Sequence, residues 1–253
     1  MANEWRLILT GHKSAYYNMA RDEAIMRLSH EQKTPAVRFY GWKPAAISIG
    51  YFQGMNDEVD IAKCKSFGVD VVRRITGGGA VFHDTELTYS FVATEESGII
   101  QKNILGSYKQ ICGGVISGLG ELNLQASFVP LNDIVVAGKK ISGNAQTRRD
   151  KAVLQHGTVL LEVDVEKMFS MLKVPSEKLK GKLIDGIKQR VTSVGQQLGG
   201  KVSFEQALPA MKKGFEKAFD VALREGSPTK QELGLAEQII RERFANDKWN
   251  FRR

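Results

Sequence analysis

Within the stretch Arg73-Arg74-Ile75-Thr76-Gly77-Gly78-Gly79-Ala80-Val81-Phe82-His83-Asp84, two forked cations, three residues without Cβ and a histidine–aspartate pair follow one another. The apolar run Val69 to Val72 precedes it and Ala80 to Phe82 reads as the start of a second strand, so the glycines fall in a strand-to-strand loop. Successive glycines can turn backbone N–H groups toward an anion and admit a ligand to the main chain, while arginine supplies charge and paired donors. The combination describes an anion cradle. A plain glycine turn is the simpler reading of the triplet, and the flanking Arg73, Arg74, His83 and Asp84 weigh against it. Strand alternation sets Arg74 on one face with Val72 and Thr76 and Arg73 on the other, so one arginine is expected at the ligand and the other in a structural pair.

A second constellation lies in Asn132 to Gln146, a strand, a turn at Gly138-Lys139 and another strand. Alternation projects Lys140, Ser142, Asn144 and Gln146 from one face and Ile141, Gly143 and Ala145 from the other. Gly143 and Ala145 are poor strand formers with little to bury, which predicts a close approach of backbone or ligand there. Asp133 is a hard oxygen donor suited to Mg²⁺, although a turn residue at a strand end explains it equally well. A reaction that gathers negative charge on phosphate or carbonyl oxygens needs fixed cations and oriented donors, often with a divalent metal; Arg74, the glycine amides and Lys140 are the right types. A P-loop needs Gly-Lys followed by Ser or Thr, and the dinucleotide fingerprint needs a glycine where Phe82 stands. Neither is met, so a nucleotide would be bound on a sheet.

The dodecapeptide resembles the R-R-x-x-G-G-G-x-V-x-H-D signature of the lipoate-protein ligase and octanoyltransferase family, a branch related to biotin ligases. The resemblance extends from Asn18-Met19-Ala20 through Arg38-Phe39-Tyr40 and Gly50-Tyr51-Phe52-Gln53 to Trp249-Asn250. It implies a site made of Arg74, Gly77, Gly78, Gly79, Ala80, Val81, Phe82, His83, Lys140 and Asn144, with Lys140 at both phosphate and acyl carbonyl and Asp133 at the metal. The implied reaction is lipoate or octanoate plus ATP and Mg²⁺ giving the acyl-adenylate, then transfer to a lysine of an acidic lipoyl-domain protein, with no tightly bound cofactor. The rival inside the family is an octanoyltransferase working from acyl carrier protein through an acyl-cysteine. In such relatives the cysteine stands shortly before the Gly-Lys-Lys strand, and Ser127 to Asn132 has none. Many of the ligases also carry a C-terminal accessory domain; this chain stops at Asp247 to Arg253, which leaves two expectations: a separate accessory subunit supplies that part, or the chain manages alone.

The elements that must position these groups are legible in outline. Trp5 to Leu9 reads as a strand and Ser14 as the cap of a helix that Pro35 ends. Ala36 to Tyr40 and Ala45 to Ile49 read as a hairpin about the turn 41–44. Asn56 or Asp57 opens a short helix closed by Gly68. Leu87 to Ala93 alternates as a half-buried strand, and a helix from Gln101 to Leu122 carries Gly113, Gly114 and Gly118 for close packing on the sheet. Ala152 to Val163 completes a hairpin. From Val165 onward helices are expected over Val165 to Leu172, Ser176 to Ile187, Phe204 to Leu223 and Thr229 to Phe244, with Gly195 to Gly200 a loop. The fold class is α+β: a mixed sheet of the biotin/lipoate ligase type with a helical C-terminal third, one domain over 1–253 that allows a helical subdomain over 165–253.

Composition narrows the class further. With 253 residues and 42% hydrophobic content the chain can bury a full core. The net charge of +8 is dispersed along the sequence, which favours an acidic macromolecular partner. Cys64 and Cys112 are isolated, so neither a disulfide framework nor a metal spacing arises. No signal-like or membrane-spanning run is present, which predicts a cytoplasmic protein. A basic nucleic-acid-binding module is the reading from another class, but aromatics are not interleaved with basic clusters and no nucleic acid is expected.

Overall fold

The computed structural model describes residues 3–174 and 177–253. β1 (Asn3–Lys13) leads into α1 (Ala15–Arg27), whose first turn is capped as predicted: Tyr17 N donates to Ser14 Oγ at 3.3 Å. There follow α2 (Ser29–Gln32), β2 (Ala36–Trp42), β3 (Ala46–Ile49), α3 (Met55–Glu58), α4 (Ile61–Ser66), β4 (Asp70–Arg73), β5 (Val81–His83) and β6 (Glu86–Thr94). The second half holds α5 (Ile104–Glu121), β7 (Ala126–Val129), β8 (Asp133–Val136), β9 (Lys139–Arg149), β10 (Ala152–Leu160), α6 (Val165–Met171), α7 (Glu177–Arg190) and α8 (Val194–Leu198). The chain closes with α9 (Phe204–Phe219), β11 (Val221–Gly226), α10 (Lys230–Ile239) and α11 (Asp247–Asn250).

Eight strands form a mixed sheet in the order β11-β1-β2-β6-β10-β9-β8-β7, and β4-β3-β5 form a small second sheet. This is the expected α+β architecture with a correction at the hairpin. β2 already has β1 and β6 as partners, so β3 finds no free edge there and pairs with β4 and β5 instead. Gly41 and Trp42 of the expected turn still belong to β2, and residues 43–45 carry the chain from one sheet to the other.

Register sorts the large sheet into two faces. Phe39, Tyr89, Phe91 and Ile141 join α5 and α9 in one apolar core. Arg38, Ser90 and His156 are cross-strand neighbours on the opposite face, as are Tyr40, Thr88 and Thr158. β6 is therefore buried on both faces, not one, because α1 and the small sheet cover its polar side. The glycines of α5 pack against α9 rather than against the sheet: a Cβ on Gly114 would sit 2.7 Å from Phe215, and one on Gly214 would sit 2.4 Å from Gly114 O.

Helix boundaries depart from expectation in four places. The helix from Phe204 stops at Phe219, where Asp220 turns left-handed at φ 52, and the chain enters β11, parallel to β1 at the sheet edge. Residues 195–198 of the expected loop belong to the helix α8, which Ser193 caps. Asp60 caps α4 and splits the helix expected from Asn56. The expected start at Ser176 lies outside the described residues, and α7 runs three residues past Ile187 to Arg190.

Candidate active site

Between the polar face of the large sheet, the small sheet and α7 lies a cavity of about 830 Å³. Arg74, Gly78, Gly79, Ala80, Val81, Phe82, His83, Asp133, Lys140 and Asn144 all border it. Gly77 alone of the expected residues does not. Met19, Tyr40, Trp42, Val135 and Leu160 give the same wall an apolar portion, and Arg190 on α7 adds a cation at a place that no sequence pattern marked.

The two arginines divide as alternation predicts. Arg73 is fully buried and binds the carbonyls of Gly50, Tyr51, Trp249 and Asn250, tying β4 to the C-terminal segment. Arg74 faces the cavity, but its guanidinium works on the loop: Nη2 donates to Gly77 O at 2.8 Å and Gly79 O at 2.7 Å, and Nη1 to Ser48 O at 2.9 Å. Burial lowers its pKa to about 10. Gly78 has φ +99, and a Cβ on Gly50 would lie 1.9 Å from Gly78 O. The loop is thus folded around Arg74 and wedged against the Gly50 turn, a backbone shape that other residues would strain.

Lys140 and Asp133 meet at 2.7 Å, with 40% and 34% of their side chains exposed. β9 bulges between Lys140 and Ser142 where β8 steps from Val135 to Ile134, which breaks the alternation expected from sequence. Lys140 therefore shares the cavity side with Gly143 and Asp133. Ser142, Asn144 and Gln146 alternate onto the other face, where Gln146 Oε1 accepts from Ser107 Oγ of α5 at 3.1 Å, so Lys140 does not head the expected polar ladder. Asn144 lines the wall with its amide fully engaged: Tyr89 Oη donates to its Oδ1 at 2.7 Å, and its Nδ2 donates to Asn132 O at 2.9 Å. It holds the start of β8, and hence Asp133, against β9.

Two buried histidines sit beside the loop. His83 Nδ1 meets Glu86 Oε1 and its Nε2 meets Ser48 Oγ, both at 2.7 Å, with its ring stacked on Trp42 at 4.0 Å. His156 Nδ1 meets Asp22 Oδ2 at 3.1 Å and its Nε2 meets Thr76 Oγ1 at 2.8 Å. Burial lowers the His156 pKa against the pull of Asp22. Burial pushes the Asp22 carboxyl up, but Arg38, His156 and Ser90 together outweigh it and hold it below the ordinary range. Ser48 and Glu86 escaped sequence reasoning. Glu86 follows His83 by three residues across a turn and was findable, whereas Ser48 arrives through pairing of β3 with β5.

Both thiols lie away from the cavity wall. Cys64 is buried under the small sheet, Cys112 among Tyr89 and Gln155, and burial raises their pKa to about 11 and about 12. Among the described residues no three His, Cys, Asp or Glu converge as a metal cage. Asp133 is then the exposed carboxylate nearest to Lys140 that could share a Mg²⁺ with a nucleotide.

A family model described as the lipoyl protein ligase A/B catalytic domain matches residues 14–216. The octanoyltransferase LipM of Brevibacillus brevis is 39% identical over 274 residues, covering 99% of both chains, and that of Bacillus subtilis 33% identical over 273, covering 98% of both. Among solved structures, a bi-partite lipoate protein ligase from Thermoplasma acidophilum, studied with its E2 lipoyl domain, superposes with a TM-score of 0.90 at 32% identity, covering 98% of this chain and 96% of that one. A lipoate-protein ligase A bound with ATP gives 0.84 at 30%, covering 98% of each.

Proposed function

The chain belongs to the lipoyl protein ligase A/B catalytic-domain family, and from that premise we propose that it activates lipoate or octanoate with MgATP and transfers the acyl group to a lysine of an acceptor lipoyl domain. The observation that carries the adenylate route is the make-up of the cavity wall: Lys140, Asp133, Arg190 and the glycine loop border it, and neither cysteine does. An acyl-cysteine route needs an activated thiolate at the acyl group, whereas both thiols here are buried with raised pKa.

In this reading Asp133 holds Lys140 until MgATP enters. The carboxylate then serves the metal, and the ammonium turns to the oxygens where charge develops. Arg74 keeps the loop amides in place so that no reorganisation is needed at that moment. The acyl chain lies along Tyr40, Trp42, Val135 and Leu160. The net charge of +8 favours an acidic acceptor domain, and likeness to a bi-partite ligase favours an accessory subunit. No helix among the described residues is long and apolar enough to cross a membrane.

A second reading is octanoyl transfer from acyl carrier protein, favoured by the name that the curated relatives share. Those relatives align over more positions than this chain has residues, so they carry segments without a counterpart here. The experiment supplies apo lipoyl domain with lipoate or octanoate and MgATP in one arm and with octanoyl-carrier thioester without ATP in the other, and weighs the domain. The expected result is ATP-dependent modification that survives Cys64→Ser with Cys112→Ser. Modification from the thioester alone, with none from ATP, overturns the adenylate reading.

A further inference from the structure

We propose that Ser48, His83 and Glu86 form an acyl-accepting relay by which this chain also takes an acyl group from a thioester, carrying it as an oxygen ester on Ser48 before the acceptor lysine receives it. The inference rests on the cavity being the acyl site, and it adds an activity that needs neither ATP nor cysteine.

The three residues come from β3, β5 and β6, so the relay exists only where the small sheet meets the large one. Ser48 Oγ lies 2.7 Å from His83 Nε2, and His83 Nδ1 lies 2.7 Å from Glu86 Oε1. Trp42 fixes the imidazole by stacking and donates to Thr88 Oγ1, which donates in turn to Glu86 Oε1. With the Glu86 carboxylate accepting from Nδ1, Nε2 is left as the acceptor for the serine proton, the arrangement of a nucleophile, its base and the group that orients the base. Arg74 Nη1 stands 3.2 Å from the same Oγ and favours its anionic form. Glu86 Oε2 is buried without a hydrogen bond among the described residues, while Oε1 is shared between the His83 ring and the Thr88 hydroxyl.

The second histidine chain supplies a contrast. Asp22, His156 and Thr76 are linked at similar distances, but Asp22 also binds Arg38, Tyr40 and Ser90, and Thr76 does not border the cavity. Ser48, His83 and Glu86 all border it. The Asp22 chain is a structural tie, and the Ser48 chain opens on the acyl site.

The chemistry balances without a further reagent. Ser48 Oγ attacks the thioester carbonyl as its proton passes to His83 Nε2; the C–S bond breaks and the thiol leaves with that proton. The acceptor lysine amine then attacks the ester, gives a proton to His83, and the C–O bond breaks as Ser48 regains it. The products are the free thiol and the acylated lysine.

The probe is octanoyl-pantetheine, mixed with the full chain without ATP or acceptor, quenched in acid and mapped by mass spectrometry. One octanoyl group is expected on the Ser48 peptide, stable to neutral hydroxylamine, discharged by apo lipoyl domain, and formed at least ~100-fold more slowly in His83→Gln. Ser48→Ala should lose it, and Ser48→Cys should convert it to a hydroxylamine-labile adduct, with folding of each variant followed by circular dichroism. No adduct on Ser48, or an adduct on Cys64 or Cys112, overturns the relay. If the same preparation still modifies the domain from lipoate and MgATP, the adenylate reading stands without it; if neither reaction occurs, both fall.

Discussion

Lys140 lies folded across Gly143, close enough that a Cβ on residue 143 would sit 2.9 Å from its Cε and 3.0 Å from its Nζ. The glycine is the floor on which the ammonium rests beside Asp133. Gly143→Ala should push the flexible end of Lys140 aside at little cost in stability, yet lower adenylate formation by ~10- to 100-fold through displacement of the cation. Pyrophosphate release beside a thermal melt checks both halves, and an unchanged rate would refute the role assigned to this contact.

Lys140→Ala should cut adenylate formation by at least ~100-fold, the loss seen when one preorganised donor is removed. Its ion pair with Asp133 is partly exposed, so stability should change by only ~0–1 kcal/mol. Single-turnover kinetics and urea melts separate the two effects.

Asn144→Ala should act in the opposite way, on the fold first. It leaves the proton of the buried Tyr89 hydroxyl without its acceptor, worth ~1–3 kcal/mol, while the Asn132 carbonyl keeps the backbone N–H of residue 144. Equilibrium denaturation should show that loss.

The Asp22–His156 pair predicts acid sensitivity with a defined sign. His156 has its pKa lowered in the fold, so its contribution is complete above the unfolded value of ~6.5 and is lost as pH falls through the folded value. Asp22 is also lowered; its contribution is complete above ~3.9 and disappears further down. Denaturation midpoints should therefore fall in two stages below about pH 6.5, and His156→Gln should flatten the first stage.

The need for an accessory subunit is tested by comparing two single-turnover rates on one preparation: lipoate with MgATP, and preformed lipoyl-adenylate. Transfer from the adenylate asks less of the site, so it should be the faster for this chain alone. Equal rates would refute the need for a partner.

The glycine loop, Lys140 and Asp133 were legible from residue types because a cradle for anions needs glycine and cations close together in sequence, and strand alternation separated Arg73 from Arg74 correctly. Alternation failed between Lys140 and Ser142, since one bulge in β9 sets Lys140 on the other face from Ser142, Asn144 and Gln146 and no local pattern announces it. The sheet partner of β3 was equally hidden: hairpin spacing was present, but β2 had both edges occupied.

Taken alone, the sequence determined the family signature, the α+β class, the core-forming alternation of β6 and the strand-to-strand position of the glycine loop, all of which depend on residue type over short spans. Only the tertiary structure decided that Arg74 serves the loop carbonyls, that both thiols lie off the cavity wall, and that Ser48 and Glu86 meet His83. Those facts depend on which strand edges remain free to pair, a property of the assembled sheets and of no single segment.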